Sequence, residues 1–159
     1  EHEGPVYIRL FRRQAENVFD DGYEFDLGKA DLLRDGSDVT LIASGVCVAN
    51  ALQAAETLAQ EGVSARVLNI HTIKPIDADA VIKAASETGA LVTAENHNVI
   101  GGLGSAVAEV LAEQRPTPLE RVGVKDHFGQ VGKAPYLMGV FGITAADIAK
   151  AARKAIARK

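Results

Sequence analysis

LVTAENHNVIGGLGSAVAEVL, residues Leu91 to Leu111, is the stretch from which the fold of this chain can be read. A strand-like apolar run passes through a polar loop holding Glu95, Asn96, His97 and Asn98 into Gly101, Gly102 and Gly104, and then into a helical pattern. It is a strand, loop, helix unit with polar groups at its turn. Backbone N–H groups and the positive end of a helix dipole meet anions at such turns. The first expectation is therefore a phosphate or dinucleotide site.

The same alternation extends to both sides. Upstream, Val46 to Glu61 places Val48, Leu52, Ala55, Leu58 and Ala59 on one helical face with Gly62 as its stop. Ala65 to Ile70 follows as a strand, and Asp77 is a good N-cap for a helix over Ala78 to Thr88 closed by Gly89. Downstream, the helix from Ser105 to Glu113 stops at Arg115-Pro116-Thr117-Pro118, Leu119 to Val124 is the last strand, and a short helical turn follows near Pro135 to Gly139. Thr144 with Asp147 reads as a capping box for a final helix with Ile148, Ala152, Ala155 and Ile156 inward. Strands alternating with helices from Val39 to Val124 predict an α/β fold, its sheet mostly parallel and covered on both faces.

Two earlier features stand apart. Ala30 to Leu33 and Val39 to Ala43 are short apolar runs separated by Arg34-Asp35-Gly36-Ser37-Asp38, and the Asp-Gly pair predicts an antiparallel hairpin between them. Before Gly28, Val6 to Leu10 reads as a strand, and Phe11 to Gly28 mixes charges and aromatics without a period, as a connector does. Residues 1–28 are thus expected to be the last strand of one domain plus a linker, and residues 29–159 a second domain.

Composition narrows the function. The chain has 159 residues, 47% hydrophobic and 24% charged, enough for one ordinary domain with a real core. Seventeen basic against 21 acidic residues, with no dominant basic block, give no footprint for nucleic acid. A single cysteine, Cys47, excludes an intrachain disulfide, and no apolar run is long enough to span a bilayer, so a cytoplasmic location without membrane partners is the default expectation. The chain opens Glu1-His2-Glu3-Gly4-Pro5 without a methionine and reads as a piece of something longer.

In open parallel sheets ligands bind beyond the carboxyl ends of the strands. Those ends carry Ser44 and Gly45, His71 and Thr72, Glu95 to His97, and Asp126 and His127, so three of the four histidines gather on one edge. With Glu95 or Asp126 they could supply zinc ligands; the alternative is histidines bonded to loop backbone, and no HxxH pair fixes two of them together. Gly102-Leu103-Gly104-Ser105-Ala106-Val107 gives a GxGxx with Asp126 at the end of the next strand, but Asn96 to Ile100 intervene where a dinucleotide turn would follow the strand directly. Cys47 lies in the first turn of a predicted helix without an adjacent base, as a small buried residue does. Arg9 alternates away from Ile8 and Leu10. Arg12, ahead of Arg13, lies just past the strand end, where a guanidinium fork can grip a phosphate or simply be solvated.

Five motifs in order give these residues a family likeness. Ser37 to Gly45 (SDVTLIASG), Ala65 to Ile70 with Ile73-Lys74-Pro75-Ile76-Asp77, Glu95 to Glu109 with GGLGSAVAE, Val122 to Gly129 (VGVKDHFG) and Phe141 to Ile148 (FGITAADI) resemble the C-terminal domain of transketolase, closest to the split form whose C-terminal half is its own polypeptide. The likeness covers essentially the whole chain. It implies a three-layer α/β/α sandwich on a five-stranded, mostly parallel sheet with its first strand antiparallel. Gly4 to Leu10 resembles the last strand of the pyrimidine-binding domain, and Arg12 falls where the family holds the sugar phosphate of the substrate.

Similar proteins use thiamine diphosphate and a divalent metal such as Mg to move a two-carbon ketol unit from a ketose phosphate to an aldose phosphate, in the pentose phosphate pathway. The activating glutamate and the GDG-type metal motif belong to regions absent here. The likeness therefore implies that this chain binds no cofactor and is inactive alone, and that it forms a homo-oligomer with the N-terminal transketolase domains or subunit as partner. The third domains of 1-deoxyxylulose-5-phosphate synthase and of 2-oxo acid dehydrogenase beta subunits are similar too, but Lys125 to Gly129 and Gly142 to Ala145 favour transketolase. A regulatory module binding an anion or nucleotide at the strand ends is the competing expectation.

Overall fold

A computed structural model describes residues 3–12 and 15–159. Its elements are β1 (Asp31–Arg34), β2 (Val39–Ala43), α1 (Cys47–Gln60), β3 (Ala65–Asn69), α2 (Ala78–Thr88), β4 (Leu91–Asn98), α3 (Leu103–Gln114), β5 (Leu119–Val124), α4 (Ala134–Phe141) and α5 (Ala145–Ile156). They form one five-stranded sheet ordered β1-β3-β2-β4-β5, with β1 antiparallel to β3 and the other pairings parallel.

Every residue of β2 is buried, as expected of a central parallel strand covered on both faces. Its alternate residues divide between two cores. Val39, Leu41 and Ala43 pack with Val48, Ala51 and Leu58 of α1 and Ile148 and Ala152 of α5, while Ile42 joins Val81 and Ala85 of α2 and Val107 and Leu111 of α3. Thr40, polar and fully buried, is satisfied by the Thr88 hydroxyl at 2.9 Å. These are the three layers that the sequence pattern predicts.

The caps behave as their residues dictate. Asp77 Oδ1 accepts from Ala80 N at 3.1 Å, and Gly89 ends α2 at φ +67°. Thr144 and Asp147 close a reciprocal box at the start of α5, with Thr144 N donating to Asp147 Oδ2 at 3.0 Å and Asp147 N to Thr144 Oγ1 at 3.3 Å.

The expected hairpin at Asp35-Gly36 does not form. β1 runs antiparallel, but against β3 and not β2. The connection steps over the start of β3, where Ser37 N and Asp38 N both donate to Ser64 O at 3.1 and 2.8 Å. A Cβ on Gly36 would come within 2.5 Å of Arg66 N, so the glycine lets two backbones cross closely. Val6 to Leu10, expected as a strand, belongs to no helix or strand, and Tyr7, Ile8 and Leu10 are exposed. An isolated strand has no ladder to satisfy its backbone, and no described strand lies beside this one. Arg13 lies outside the described residues.

Candidate functional site

The strand order reverses between β2 and β4. β2 leads through α1 to β3 on one side, and β3 leads through α2 to β4 on the other. This is the switch point where open α/β sheets leave a crevice at their carboxyl ends. β4 is irregular here: Ala94 pairs with Val122 and Asn98 with Val124, so four residues of β4 advance against two of β5. Such a bulge re-aims side chains, and Glu95, Asn96 and His97 lie within it.

Glu95 is 2% exposed, and its carboxylate accepts from Leu103 N (Oε2) and Gly104 N (Oε1), both at 2.8 Å. These are the free N–H groups of the first turn of α3, which starts two residues before Ser105 because its cap arrives from the neighbouring strand. The anion expected at the glycine-rich turn is the chain's own. That corrects the phosphate and dinucleotide readings, since the N–H groups are spent and the space is filled. A Cβ on Gly102 would overlap Glu95 Oε2, and one on Gly104 would lie 2.8 Å from both Thr93 Oγ1 and Arg121 Cδ. Gly104 thus lets α3 pack closely on the sheet, while Gly101, at φ +76°, turns the chain.

The three histidines do not converge. β2 lies between β3 and β4, which separates His71 from His97 by two strand spacings, about 10 Å. His71 Nδ1 is 2.7 Å from Thr72 Oγ1, and its ring packs on Phe25 with centroids 4.4 Å apart. His97 Nδ1 is 3.2 Å from the Asn98 carbonyl oxygen, and His127 is exposed beyond β5. Among the described residues no three His, Cys, Asp or Glu side chains meet as a metal site requires. With the α3 turn also filled, these residues do not fit a diphosphate carried by a divalent metal. Asp126, at φ +53°, accepts from Asn98 Nδ2 at 3.2 Å and marks no ribose site.

Cys47 is wholly buried at the start of α1. Burial above all, with the charge of Glu95 adding and that of Arg9 opposing, pushes its thiol up to about 12. It stays protonated and is no nucleophile.

The arginines separate. Arg9 reaches the switch point, where Nη1 donates to Asn96 Oδ1 and Nη2 to Asn96 O, both at 3.1 Å. Arg12 is exposed. Beyond them the connector stacks Phe19 on its own Tyr23 at 3.8 Å and is moored to the domain by Tyr23 Oη donating to Asp31 Oδ2 at 3.1 Å and Gly28 N to Thr72 Oγ1 at 3.3 Å. Burial first, and then the Asp31 carboxylate, raises the Tyr23 hydroxyl above its ordinary range. The Glu95 cap was open to sequence reasoning, because Leu91, Thr93 and Glu95 alternate onto the α3 side of the strand. Nothing local in sequence pairs Arg9 with Asn96, 87 residues away.

The family model for the transketolase C-terminal domain matches residues 28–148. The 6-deoxy-6-sulfo-D-fructose transketolase subunit of Clostridium sp. (strain MSTE9) is 58% identical over 158 residues, 99% of this chain and 49% of its own length. The 1-deoxy-D-xylulose-5-phosphate synthase 1 of Geobacter sulfurreducens is 39% identical, over 99% of this chain and 25% of its own length. A solved structure described as a split gene transketolase, inactive beta4 tetramer, superposes with a TM-score of 0.94 at 48% identity, covering 98% of this chain and 51% of that one. The chain spans about half the length of the curated transketolase subunit it matches.

Proposed function

The chain belongs to the transketolase C-terminal domain family, and from that premise we propose that it is the C-terminal part of a thiamine diphosphate-dependent transketolase, transferring a two-carbon ketol unit between sugar phosphates. The carrying observation is end-to-end similarity to a transketolase subunit, 58% identical over 99% of this chain and about half of that subunit. Thiamine diphosphate and Mg supply the carbon–carbon chemistry of the whole enzyme, and the groups that hold them lie in the N-terminal half. Residues 29–159 are the scaffold, and residues 1–28 complete the pyrimidine-binding domain and enter the third.

The role of this chain toward substrate rests on Arg12, whose planar fork matches a tetrahedral anion. The sulfonate in the name of the Clostridium relative's substrate is such an anion too, so the anionic end of the sugar, phosphate or sulfonate, is the feature recognised. The test is a coupled transketolase assay with the N-terminal half supplied. The chain alone should show no transfer and the reconstituted enzyme should show it. Arg12→Ala should lower kcat/KM on phosphorylated or sulfonated substrates roughly 100-fold, the scale of a lost charged contact on a reacting ligand, and leave neutral substrates unchanged. Equal losses on charged and neutral substrates would remove Arg12 from the site.

A second reading is favoured by the synthase relative, 39% identical over nearly the whole chain. Formation of 1-deoxy-D-xylulose 5-phosphate by the reconstituted enzyme, without ketol transfer, would select it. The isolated chain is proposed to self-associate, as the 48%-identical protein described as a beta4 tetramer does. Light scattering is expected to give a dimer or larger, and a monomer at micromolar concentration would reject this.

A further inference from the structure

We propose that Arg9 and Asn96 are a positioning pair, a clamp between the N-terminal segment and the switch point that holds Arg12 where it meets the anionic end of the substrate. This rests on the role of Arg12 given above and adds two residues to it.

The switch point between β2 and β4 is where an open α/β sheet leaves room for a ligand. In this chain part of that room is taken by its own side chains. Glu95 fills the α3 side by capping Leu103 and Gly104, and the Arg9 guanidinium lies across the edge on Asn96. Both hydrogen bonds of Arg9 fall on one residue, one to its side-chain oxygen and one to its main-chain oxygen. Two parallel bonds from a rigid planar fork fix orientation as well as distance, which a single bond from a flexible ammonium cannot. Asn96 can offer both oxygens because the irregularity between Ala94 and Asn98 draws it out of regular pairing with β5.

The neighbourhood gives the clamp its purpose. Residues 5–11 join no described helix or strand, and their apolar side chains are largely exposed, so within this chain the Arg9 bonds to Asn96 tie them to the third domain, beside the strand pairing that the N-terminal half would supply. Two residues, Leu10 and Phe11, separate Arg9 from Arg12, three chain steps that reach at most about 11 Å. On its far side Arg12 is followed by the connector moored through Tyr23 to Asp31 and Gly28 to Thr72. The arginine proposed to meet substrate therefore sits between two attachments to the third domain, of which Arg9 is the nearer. With two of its donors on Asn96, Arg9 is assigned a role through Arg12, which an Arg12→Ala background separates from a direct contact with substrate.

The experiment uses the enzyme reconstituted from this chain and its N-terminal half, with phosphorylated and neutral acceptor aldoses. Asn96→Ala removes one acceptor and Arg9→Ala both bonds. KM for the phosphorylated acceptor should rise about tenfold in the first and further in the second, the scale of a displaced charged contact. kcat and the constants for the neutral acceptor should stay within about twofold of the parent. Asn96→Asp keeps both oxygens and should retain the parent KM, which separates a lost bond from a lost fold. In an Arg12→Ala background, Asn96→Ala should add nothing, because paired residues acting through one contact are not additive. If Arg12→Ala is selective for charged substrates while Asn96→Ala is not, or if their effects add, the positioning role is overturned and the role of Arg12 stands. If Arg12→Ala itself is not selective, both fall.

Discussion

Glu95→Ala is expected to lower the unfolding free energy by about 4 kcal/mol, a large share of the ~5–15 kcal/mol that holds a domain of this size together. The side chain is 2% exposed and accepts two backbone N–H groups at 2.8 Å. Alanine leaves both without a partner, at roughly 1–3 kcal/mol each when buried. It also removes a negative charge from the positive end of α3, worth about 0.3–2 kcal/mol, and opens space under the helix. Glutamine keeps one carbonyl oxygen but turns an N–H₂ toward the other donor, so Glu95→Gln should cost about half as much. Urea denaturation followed by circular dichroism measures both. A shift below about 1 kcal/mol for the alanine variant would mean that the carboxylate is not the cap of this helix.

Gly102→Ala should cost about 3 kcal/mol for a related reason, and the cost should depend on Glu95. A Cβ at position 102 overlaps Glu95 Oε2 and lies 2.9 Å from the Asn98 carbonyl oxygen. The backbone there is extended, φ −101° and ψ −156°, and suits any residue, so the penalty is steric and not conformational. Overpacking of a tight site costs about 1–3 kcal/mol, and expelling the carboxylate forfeits its bonds as well. With Glu95 already alanine the conflict with the carboxylate disappears and only the Asn98 carbonyl oxygen remains, 2.9 Å away, so Gly102→Ala should then cost about 1–2 kcal/mol, clearly less than in the parent. The same denaturation series on the two single variants and the double variant gives the coupling. Strictly additive costs would show that the methyl and the carboxylate do not compete for one space.

The layers of this molecule were legible because local chemistry writes them. Asp77 before Ala78, Gly89 after Thr88 and the Thr144–Asp147 box each act within four residues, and each appears in the structure where it was expected. Apolar runs at the two periods located β2, β5 and the helices for the same reason. The Asp35-Gly36 turn misled because a turn signal reports a change of direction and not a pairing partner. Sheet neighbours are chosen by crossovers tens of residues long, and here one of them put β3 between β1 and β2.

The glycine-rich stretch from Leu91 to Leu111 shows the division most clearly. Its residues by themselves determined a strand, a turn needing glycine, and a helix whose first N–H groups demand an anion, since those follow from backbone geometry and from orphaned donors. Which anion would answer was a tertiary decision. Alternation along β4 put Glu95 on the α3 side, and the packing of α3 over that strand brought its first N–H groups onto the carboxylate, closing a cradle that the motif alone left open to phosphate. Asn96, the next residue and therefore on the other face, became the anchor for an arginine 87 residues earlier. Local sequence sets what a backbone requires, and only the packed sheet brings together the distant groups that meet the requirement.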